Sequence, residues 1–426
     1  MQEPMARMDP TARPGLLARV FEALRKDGLR WCVLRDEADL EKLAGGGELD
    51  LLVDPDHLER FAELTAALGF ARLPAWGHAP HHFFLGFDAE RGAWLKLDVV
   101  DRLAYGRPIR RLRTDLAEGC LVRRRWRQPA FVLAPEDELV TLLLHAALDK
   151  GEFSPGRRQR MQQLCARVTD DANLSMQLER WWSPGATGTR LGDLVRREAW
   201  SELQGEAPAV AARLAGEDPV GTVARGLGAR LLRRLGRRIA PRRGLSVALL
   251  APDGAGKSTL AARLAESWPL PSRTVYMGLY PKGERASGPP GFSFLRRLVK
   301  QWGRWLGARW HQARGRLVIF DRHSYDALLP PRTPLPWHKR WRRLVLARAC
   351  PAPDLVLVLN APGKLLWSRK REHTPALLEQ QRREYLRLAA RLPRAAVVDA
   401  SRSPDEVLRA ATALVWGAWR GAEQRP

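Results

Sequence analysis

Cysteine is scarce in this sequence, and its four copies, Cys32, Cys120, Cys165 and Cys350, form no CxxC pair. This spacing argues against a disulfide scaffold or a structural zinc site, and it suits a reducing cytosol. No apolar run is long enough to span a bilayer. The opening residues, MQEPMARMDPTARPG, carry acids and prolines where a secretion signal needs an apolar core, so we expect a cytoplasmic protein.

Acidic residues are also in short supply. The chain has 47 Asp and Glu against 71 Lys and Arg, which gives a formal net charge of +24. One interpretation is that this positive charge attracts nucleic acid or an anionic membrane. The other is that the net charge reflects a compositional bias toward Arg on solvated faces. Because no RNA- or DNA-binding motif accompanies the charge, we favour the second interpretation and keep a basic nucleic-acid-binding protein as an alternative.

The order of strand and helix patterns divides the 426 residues into four segments. Residues 1–125 read as α-β-β-α-β-β, which predicts a compact α+β domain. Residues 126–220 are helical in pattern, and residues 221–244, rich in Arg and Gly, predict a basic linker. In residues 245–426 unbroken apolar strands alternate with helices, and this pattern predicts an α/β domain whose parallel sheet is covered on both faces.

A glycine-rich turn between an apolar strand and a helix is the clearest functional motif. Residues 251–258 read APDGAGKS and fit the phosphate-loop pattern G-x-x-x-x-G-K-[ST], apart from Ala251 in place of the first glycine. In this pattern backbone amides and the helix N-terminus face the phosphates, the lysine reaches the β- and γ-phosphates, and the hydroxyl ligates Mg²⁺. We therefore predict that ATP and Mg²⁺ are bound by Asp253, Gly254, Ala255, Gly256, Lys257, Ser258 and Thr259, with Ser258 as a metal ligand.

Later segments keep an order found in one kinase family. DGAGKST is followed by RLVIFDRH (316–323), PDLVLVLNAP (353–362) and AAVVDASRSPDEVLRAA, and this set resembles the thymidylate kinase family over about residues 245–419. The resemblance implies a P-loop kinase that moves the γ-phosphate of ATP to a nucleoside monophosphate. It also implies that Asp321 helps to position the metal and the acceptor phosphate, and that Arg322 contacts the transferring phosphates.

The same resemblance implies a mobile lid with arginines that contact the phosphates. Arg369 and Arg371 are the candidates in the segment LLWSRKREHTPALLEQQRREYLRLA, with Arg383 as a further one, and the alternative is that each only solvates a helix face. Asp399, in VVDAS, would lie under the adenine. The segment YMGLYPKGERASGPPGF stands where the family usually has a Pro-Gly-Gly-type segment. The segment DRHSYDALLPPR is similar to a divergent branch of the family, which is found as fusion proteins in surface-polysaccharide gene sets. We therefore expect the acceptor to be a nucleoside monophosphate or a related sugar or glycan precursor.

The front domain carries a carboxylate motif of its own. Two residues apart on a predicted strand, Glu48 and Asp50 share one face, and Asp98 can come alongside from a neighbouring strand. GGGELDLLVD followed by LKLDVV resembles the DNA polymerase beta-type nucleotidyltransferases, in which three carboxylates hold two Mg²⁺ ions. The usual Gly-Ser is absent and the first Asp is Glu. Active nucleotidyl transfer, a degenerate substrate-binding relic and chance stay open, as does a nucleotide-sensing role for the phosphate-loop domain.

A basic stretch in the second half is rich in tryptophan. FSFLRRLVKQWGRWLGARWHQARGR places Trp302, Trp305 and Trp310 among Arg and Lys at helical spacing. We favour a helix that caps the acceptor pocket, because kinases of this class close over their substrates. The alternative is an interfacial helix that approaches a membrane or a lipid-linked glycan. The sequence leaves a homodimer open.

Overall fold

The computed structural model describes residues 15–34, 46–73, 81–106, 112–216, 228, 244–278, 290–331 and 333–423, with side chains from residue 294 onward in the helix that begins at Pro290. The chain divides into two compact units, Met1–Ile239 and Ala240–Pro426. The predicted basic linker, residues 221–244, lies outside the described residues except for Gly228 and Gly244. Within the described part of the chain, no helix combines the length and apolar character that crossing a membrane needs.

The first unit is built on a mixed β-sheet. Its strands are β1 (Trp31–Val33), β2 (Gly47–Val53), β3 (Phe70–Arg72), β4 (His81–Asp88), β5 (Ala93–Val100), β6 (Ala104–Tyr105), β7 (Leu112–Arg113), β8 (Arg125–Arg127) and β9 (Ala130–Val132). Seven of them form one sheet in the order β3-β4-β5-β2-β1-β9-β8, and β6 pairs with β7 separately. The pairs β2–β5 and β1–β9 are parallel, and the others in the large sheet are antiparallel.

Helices cover this sheet and extend beyond it. They are α1 (Leu16–Lys26), α2 (Leu58–Ala67), α3 (Leu116–Arg123), α4 (Pro135–Leu144), α5 (Pro155–Cys165), α6 (Asp171–Trp181), α7 (Gly188–Arg196) and α8 (Trp200–Ala215). The apolar residues of α1 recur at helical spacing and face the sheet, where Phe21 stacks on Trp31 at 5.2 Å between ring centroids. Residues 126–220 were predicted to be helical throughout. In the structure their helices begin at α4, after the strands β8 and β9, which the sequence pattern did not indicate.

Three consecutive acids at the start of α4 join the helices to one another. Glu138 receives two hydrogen bonds of 2.7 Å from Arg160 of α5, and Asp137 receives 2.7 Å and 3.1 Å hydrogen bonds from Arg123 of α3. Glu136 accepts the backbone N–H groups of Thr169 and Asp170 before α6. All three carboxylates are buried. Because a buried charge is tolerated only when it is paired and hydrogen-bonded, these contacts fix how the helices pack.

The second unit is an α/β domain with a parallel sheet. Its strands are β10 (Ser246–Leu250), β11 (Ser272–Tyr276), β12 (Leu317–Asp321), β13 (Leu355–Asn360) and β14 (Ala395–Asp399). Its helices are α9 (Lys257–Ser267), α10 (Pro290–Ala313), α11 (Trp337–Arg348), α12 (Gly363–Arg369), α13 (Pro375–Ala389) and α14 (Pro404–Glu423). All strand pairs are parallel, in the order β11-β12-β10-β13-β14.

The strand order places a ligand crevice at the end of β10. The apolar strands β10, β12 and β13 are buried almost along their whole length, as a parallel sheet covered on both faces requires. The chain continues from central β10 toward β11 on one side and reaches β13 on the other. Ligands of open α/β sheets bind beyond the carboxyl ends of the strands at such a switch point. The predicted α/β class with a parallel sheet is confirmed for this unit.

Candidate active site

The loop between β10 and α9 has the backbone that a phosphate cradle requires. Gly254 and Gly256 have φ values of 86° and 84°, a left-handed conformation that is costly for other residues. A Cβ atom on Gly254 would also lie 2.6 Å from the carbonyl oxygen of Leu366. Ala251, which stands in place of the pattern's first glycine, has no positive φ, so its methyl group fits there without strain.

Lys257 lies inside the loop that precedes it. Its side chain is buried, and Nζ donates 2.8 Å hydrogen bonds to the carbonyl oxygens of Ala251 and Pro252. Burial, together with the nearby charge of Arg322, lowers the pKa of Lys257 to about 8. An anion bound in the loop would therefore meet a poorly solvated ammonium group, which raises the strength of their attraction.

Ser258 and Asp321 connect the helix start to the end of β12. The Ser258 hydroxyl donates a 2.7 Å hydrogen bond to Oδ2 of Asp321. Asp321 ends its strand beside Leu249 of β10 and Tyr276 of β11. A hydroxyl and a carboxylate in contact offer the hard oxygen ligands that Mg²⁺ prefers, so this pair fits the predicted metal site. Thr259 follows on the exposed surface of α9.

Arg322 turns back toward the phosphate loop. Its φ of 69° is unusual for a residue with a side chain, and its guanidinium donates a 2.6 Å hydrogen bond to Oδ1 of Asp253. Burial opposes the charge, but Asp253 and Asp326 hold the pKa of Arg322 above its ordinary value. Burial would raise the pKa of Asp253, but Lys257 and Arg322 lower it overall. The two residues form an ion pair at the mouth of the loop.

A second carboxylate behind this pair was not singled out from the sequence. Asp326 accepts a 3.0 Å hydrogen bond from the hydroxyl of Tyr385 on α13. Burial raises the pKa of Asp326, although Lys257 and Arg322 act against the rise. Burial and the neighbouring Asp326 raise the pKa of Tyr385 well above its usual range. The motif DRHSYD contains Asp326, but only the fold brings it to Tyr385, 59 positions away.

His323 packs between rings instead of facing the loop. It lies 5.6 Å from Phe320 and 4.4 Å from Tyr325 between ring centroids, and its side chain is buried. Burial lowers the pKa of His323 to about 4, so the imidazole is neutral at physiological pH. His323 therefore serves packing.

The predicted lid arginines lie away from the loop's described contacts. Arg369 donates a 2.9 Å hydrogen bond to the carbonyl oxygen of Ala400, and the guanidinium of Arg371 lies 5.3 Å from the ring of Trp367. Arg383 pairs with Glu379 at 3.5 Å. Between the first two, Lys370 comes closer to the loop, because a Cβ on Gly254 would lie 3.5 Å from the Lys370 Cβ. The phosphate-contact role of Arg369 and Arg371 stays a prediction.

Asp399 closes a turn at the end of β14. Its Oδ1 accepts hydrogen bonds from the Ser401 backbone N–H at 3.0 Å and from the Ser401 hydroxyl at 2.5 Å. These hydrogen bonds, with help from Arg402, lower the pKa of Asp399. Arg369 reaches Ala400 beside this turn, so the segment after β14 and the end of α12 lie together. A role for Asp399 under an adenine stays a prediction.

The front-unit carboxylates do converge. Asp50 and Asp98 face each other across the parallel pair β2–β5, and ligand atoms of Glu48, Asp50 and Asp98 all lie within 4.8 Å of one another. Three carboxylates are a suitable donor set for Mg²⁺. Lys96 donates a 2.7 Å hydrogen bond to Glu48, and His81 Nδ1 lies 2.5 Å from Oδ1 of Asp98. Each of these two contacts uses one oxygen of its carboxylate, and a carboxylate has a second oxygen with which to bind a metal ion.

The chain has only distant similarity to known proteins. No protein-family model and no curated protein matches the chain. A deoxyadenosine kinase from M. mycoides, solved with dCMP and dCDP, is 15% identical over 40% of this chain and 98% of its own, with a TM-score of 0.28. A structure of deoxyadenosine kinase from M. mycoides with dATP is 16% identical over the same shares, with a TM-score of 0.27. Thymidylate kinase from Candida albicans is 16% identical over 41% of this chain and 91% of its own, with a TM-score of 0.33. These values assign no activity to the chain.

Proposed function

We propose that the second unit transfers the γ-phosphate of ATP, with Mg²⁺, to a nucleoside monophosphate or a related sugar or glycan precursor. The observation that carries the proposal is the hydrogen bond between Ser258 and Asp321 directly beyond a loop with two left-handed glycines. A phosphate cradle and a hard-ligand metal pair are the two parts that phosphoryl transfer needs in one place. The acceptor class follows from the sequence resemblance.

In this proposal the residues around the loop have different roles in phosphoryl transfer. The amides of residues 253–258 and Lys257 hold the phosphates, and Ser258 with Asp321 would hold Mg²⁺. Bound Mg²⁺ supplies charge neutralisation on the phosphate oxygens. Arg322, fixed by Asp253, is placed to add a second cation as charge spreads in the transition state. Lys370 is a further cation beside the loop, since its Cβ would lie 3.5 Å from a Cβ on Gly254.

A metal titration with an acceptor screen tests this proposal. ATP consumption is measured with nucleoside monophosphates, sugars and glycan precursors, and Mg²⁺ is varied for the acceptor that works. Ser258→Ala should raise the Mg²⁺ concentration that gives half-maximal activity by at least about 10-fold, since it removes one metal ligand. Ser267→Ala is the matched control, because its hydroxyl only bonds the Leu264 carbonyl within the same helix. The proposal would be contradicted if ATP consumption changed neither with the Mg²⁺ concentration nor in the Ser258→Ala variant.

A second candidate function belongs to the first unit. The convergence of Glu48, Asp50 and Asp98 on paired parallel strands favours nucleotidyl transfer there, with the metal ions held by those three side chains. The test is pyrophosphate release from nucleoside triphosphates by the full chain carrying Lys257→Ala. Asp50→Asn should abolish release, and Asp115→Asn, an exposed acid in the same unit, should leave it intact. No release by the Lys257→Ala chain would dismiss this second activity.

A further inference from the structure

Helix α10 presents an inverted pattern of burial. Two glutamines, Gln301 and Gln312, face the domain and are buried, whereas five large apolar side chains point outward. Those five are between 40% and 64% exposed, and they are Leu295, Val299, Trp302, Leu306 and Trp310. A surface helix normally buries its apolar residues and exposes its polar ones. This helix therefore has a second apolar face that the described residues of its own domain leave exposed.

The exposed apolar side chains form one continuous stripe. Their spacing is four, three, four and four residues, so at 100° per residue they fall within a sector of about 80°. Trp302 lies at one edge of the stripe, about 100° around the helix axis from Gln301. Gln301 and Ala308 are both buried against the domain. The exposed residues Arg296 and Lys300 lie next to the other edge of the stripe. The result is an apolar ridge along the length of the helix with a basic margin.

The neighbouring helix α11 continues the same character. Trp337, Trp341 and Leu344 recur at helical spacing, and Trp337 is 80% exposed. The guanidinium of Arg342 lies 5.6 Å from the ring of Phe294, and the Cys350 thiol is 3.9 Å from the Gln301 carbonyl oxygen. These two contacts place α11 beside α10. We use the name ridge surface for the apolar stripe of α10, and Trp337, Trp341 and Leu344 are further exposed apolar residues on the neighbouring helix.

The charge around the ridge surface has one sign. Neither α10 nor α11 contains an Asp or Glu, whereas both carry several Arg and Lys. Arg296, Lys300 and Arg309 are exposed on α10, whereas Arg304 faces the domain, where its guanidinium lies 5.6 Å from the ring of Tyr276. Arg314, just beyond the helix, places its guanidinium 3.8 Å from the exposed ring of Trp310. A partner must therefore offer negative charge beside an apolar layer.

We propose that the ridge surface docks on an anionic lipid membrane. Amphipathic helices with Trp and Leu on one side and Arg and Lys beside them lie in the membrane interface, with the apolar face among the acyl chains and the cations at the headgroups. A second copy of this chain would bring basic margins against basic margins with no acid to pair them. A nucleic acid would satisfy the cations but would leave Leu295, Val299 and Leu306 in water. Docking is a property distinct from phosphoryl transfer.

Vesicle sedimentation of the full chain tests the proposal. Phosphatidylcholine vesicles with phosphatidylserine should bind the protein, and vesicles of phosphatidylcholine alone should bind it far less. Leu306→Ser should lower the partition coefficient about 10-fold, since one large apolar side chain no longer enters the lipid. Met176→Ser is the matched control: Met176 is 60% exposed on a helix of the other unit and Leu306 is 56% exposed, so both variants lose a comparable exposed side chain.

Each other outcome overturns docking. Absence of vesicle binding, binding that ignores phosphatidylserine, or equal binding by the Leu306→Ser and Met176→Ser variants would do so. A dimer in sedimentation velocity that Leu306→Ser dissolves, without vesicle binding, would assign the ridge surface to a second copy. RNA binding without vesicle binding would assign it to nucleic acid. Lys257→Ala should bind vesicles as the wild type does, so a failure of the kinase proposal is distinguishable from a failure of this one.

Discussion

The hydroxyl of Ser258 and the carboxylate of Asp321, 63 positions apart in the chain, are joined by a 2.7 Å hydrogen bond at the carboxyl edge of the parallel sheet. The bond brings the first turn of α9 to the end of β12. It therefore connects the phosphate loop to the strand whose end carries the transfer residues proposed above.

Replacement of Asp321 by Asn should impair turnover more than folding. The amide oxygen can still accept the Ser258 hydrogen bond, but it lacks the charge that would hold Mg²⁺ and orient the acceptor. We expect kcat to fall by about 10²-fold or more. The measurement is kcat at saturating ATP over a Mg²⁺ series, with the thermal midpoint as the check on folding. Full turnover in Asp321→Asn would remove Asp321 from the catalytic machinery.

Arg322→Ala should separate turnover from nucleotide affinity. The guanidinium is held by Asp253, so its benefit should appear mainly as charge develops on the transferring phosphate. We expect kcat to fall about 10²-fold with a much smaller change in the Kd for ATP. Arg314→Ala, which removes a guanidinium that lies on Trp310, is the control with unchanged kcat. A loss of ATP affinity with unchanged kcat would show that Arg322 binds the ground state instead.

The two loop glycines should differ in their tolerance of alanine. Gly256 has open space around its missing side chain, so Gly256→Ala meets only the backbone strain of its positive φ. That strain costs about 1–2 kcal/mol, or roughly 5- to 30-fold in ATP affinity if the loop relaxes on release. Gly254→Ala adds a clash with the Leu366 carbonyl oxygen and should bind ATP more weakly still. Calorimetric titration of both variants measures the difference, and the reverse ranking would contradict the loop geometry.

Tyr385→Phe should destabilise the second unit. The change leaves a carboxylate oxygen of Asp326 without the hydroxyl that now bonds it at 3.0 Å. Loss of one partner of a buried hydrogen bond costs about 1–3 kcal/mol. Denaturant unfolding followed by fluorescence measures the loss, with exposed Trp367→Phe as the control for a removed aromatic polar group. An unchanged midpoint in Tyr385→Phe would show that the bond does not hold Asp326 in the folded protein.

Glu136→Gln should reveal an acid-sensitive contribution to stability in the first unit. Burial would raise the pKa of Glu136, but hydrogen bonds from Thr169 and Asp170 lower it overall. A carboxylate with a lowered pKa stabilises the fold above its unfolded-state pKa, and that stabilisation is lost as the pH falls through the folded-state pKa. The difference in thermal midpoint between wild type and Glu136→Gln should therefore be full at pH 7 and shrink below about pH 4.5. Exposed Glu202→Gln should show no such difference, and a gap that grows in acid would contradict the assignment.

The sequence predicted the elements around the phosphate loop because their signals are local. An unbroken apolar strand, glycines at fixed spacing and Lys-Ser-Thr at a helix start lie within one short segment, residues 247–259. The alternation of side chains likewise placed Glu48 and Asp50 on one face, and the β2–β5 register then set Asp98 opposite Asp50. The predicted pattern missed five short strands of two or three residues each, which are β3, β6, β7, β8 and β9.

The remaining site contacts depend on packing over long separations. Nothing near Asp326 in the sequence points to Tyr385, and nothing near Gly254 points to Lys370. The Trp-rich stretch predicts a helix that caps the acceptor pocket, but only the register of that helix against the sheet decides which face is buried. In the structure Trp305 packs inward, and Trp302 and Trp310 lie on the exposed stripe.

Transfer of a labelled γ-phosphate tests the central claim most directly. The wild type, Lys257→Ala and Lys364→Ala are compared with the acceptor found in the screen, and circular dichroism shows that each is folded. Lys257 lies inside the loop, whereas Lys364 is an exposed lysine on α12, so the two variants lose the same charge at different places. We predict that Lys257→Ala loses transfer by about 10²-fold or more while Lys364→Ala keeps it. Full transfer by Lys257→Ala would show that the loop is not the active site.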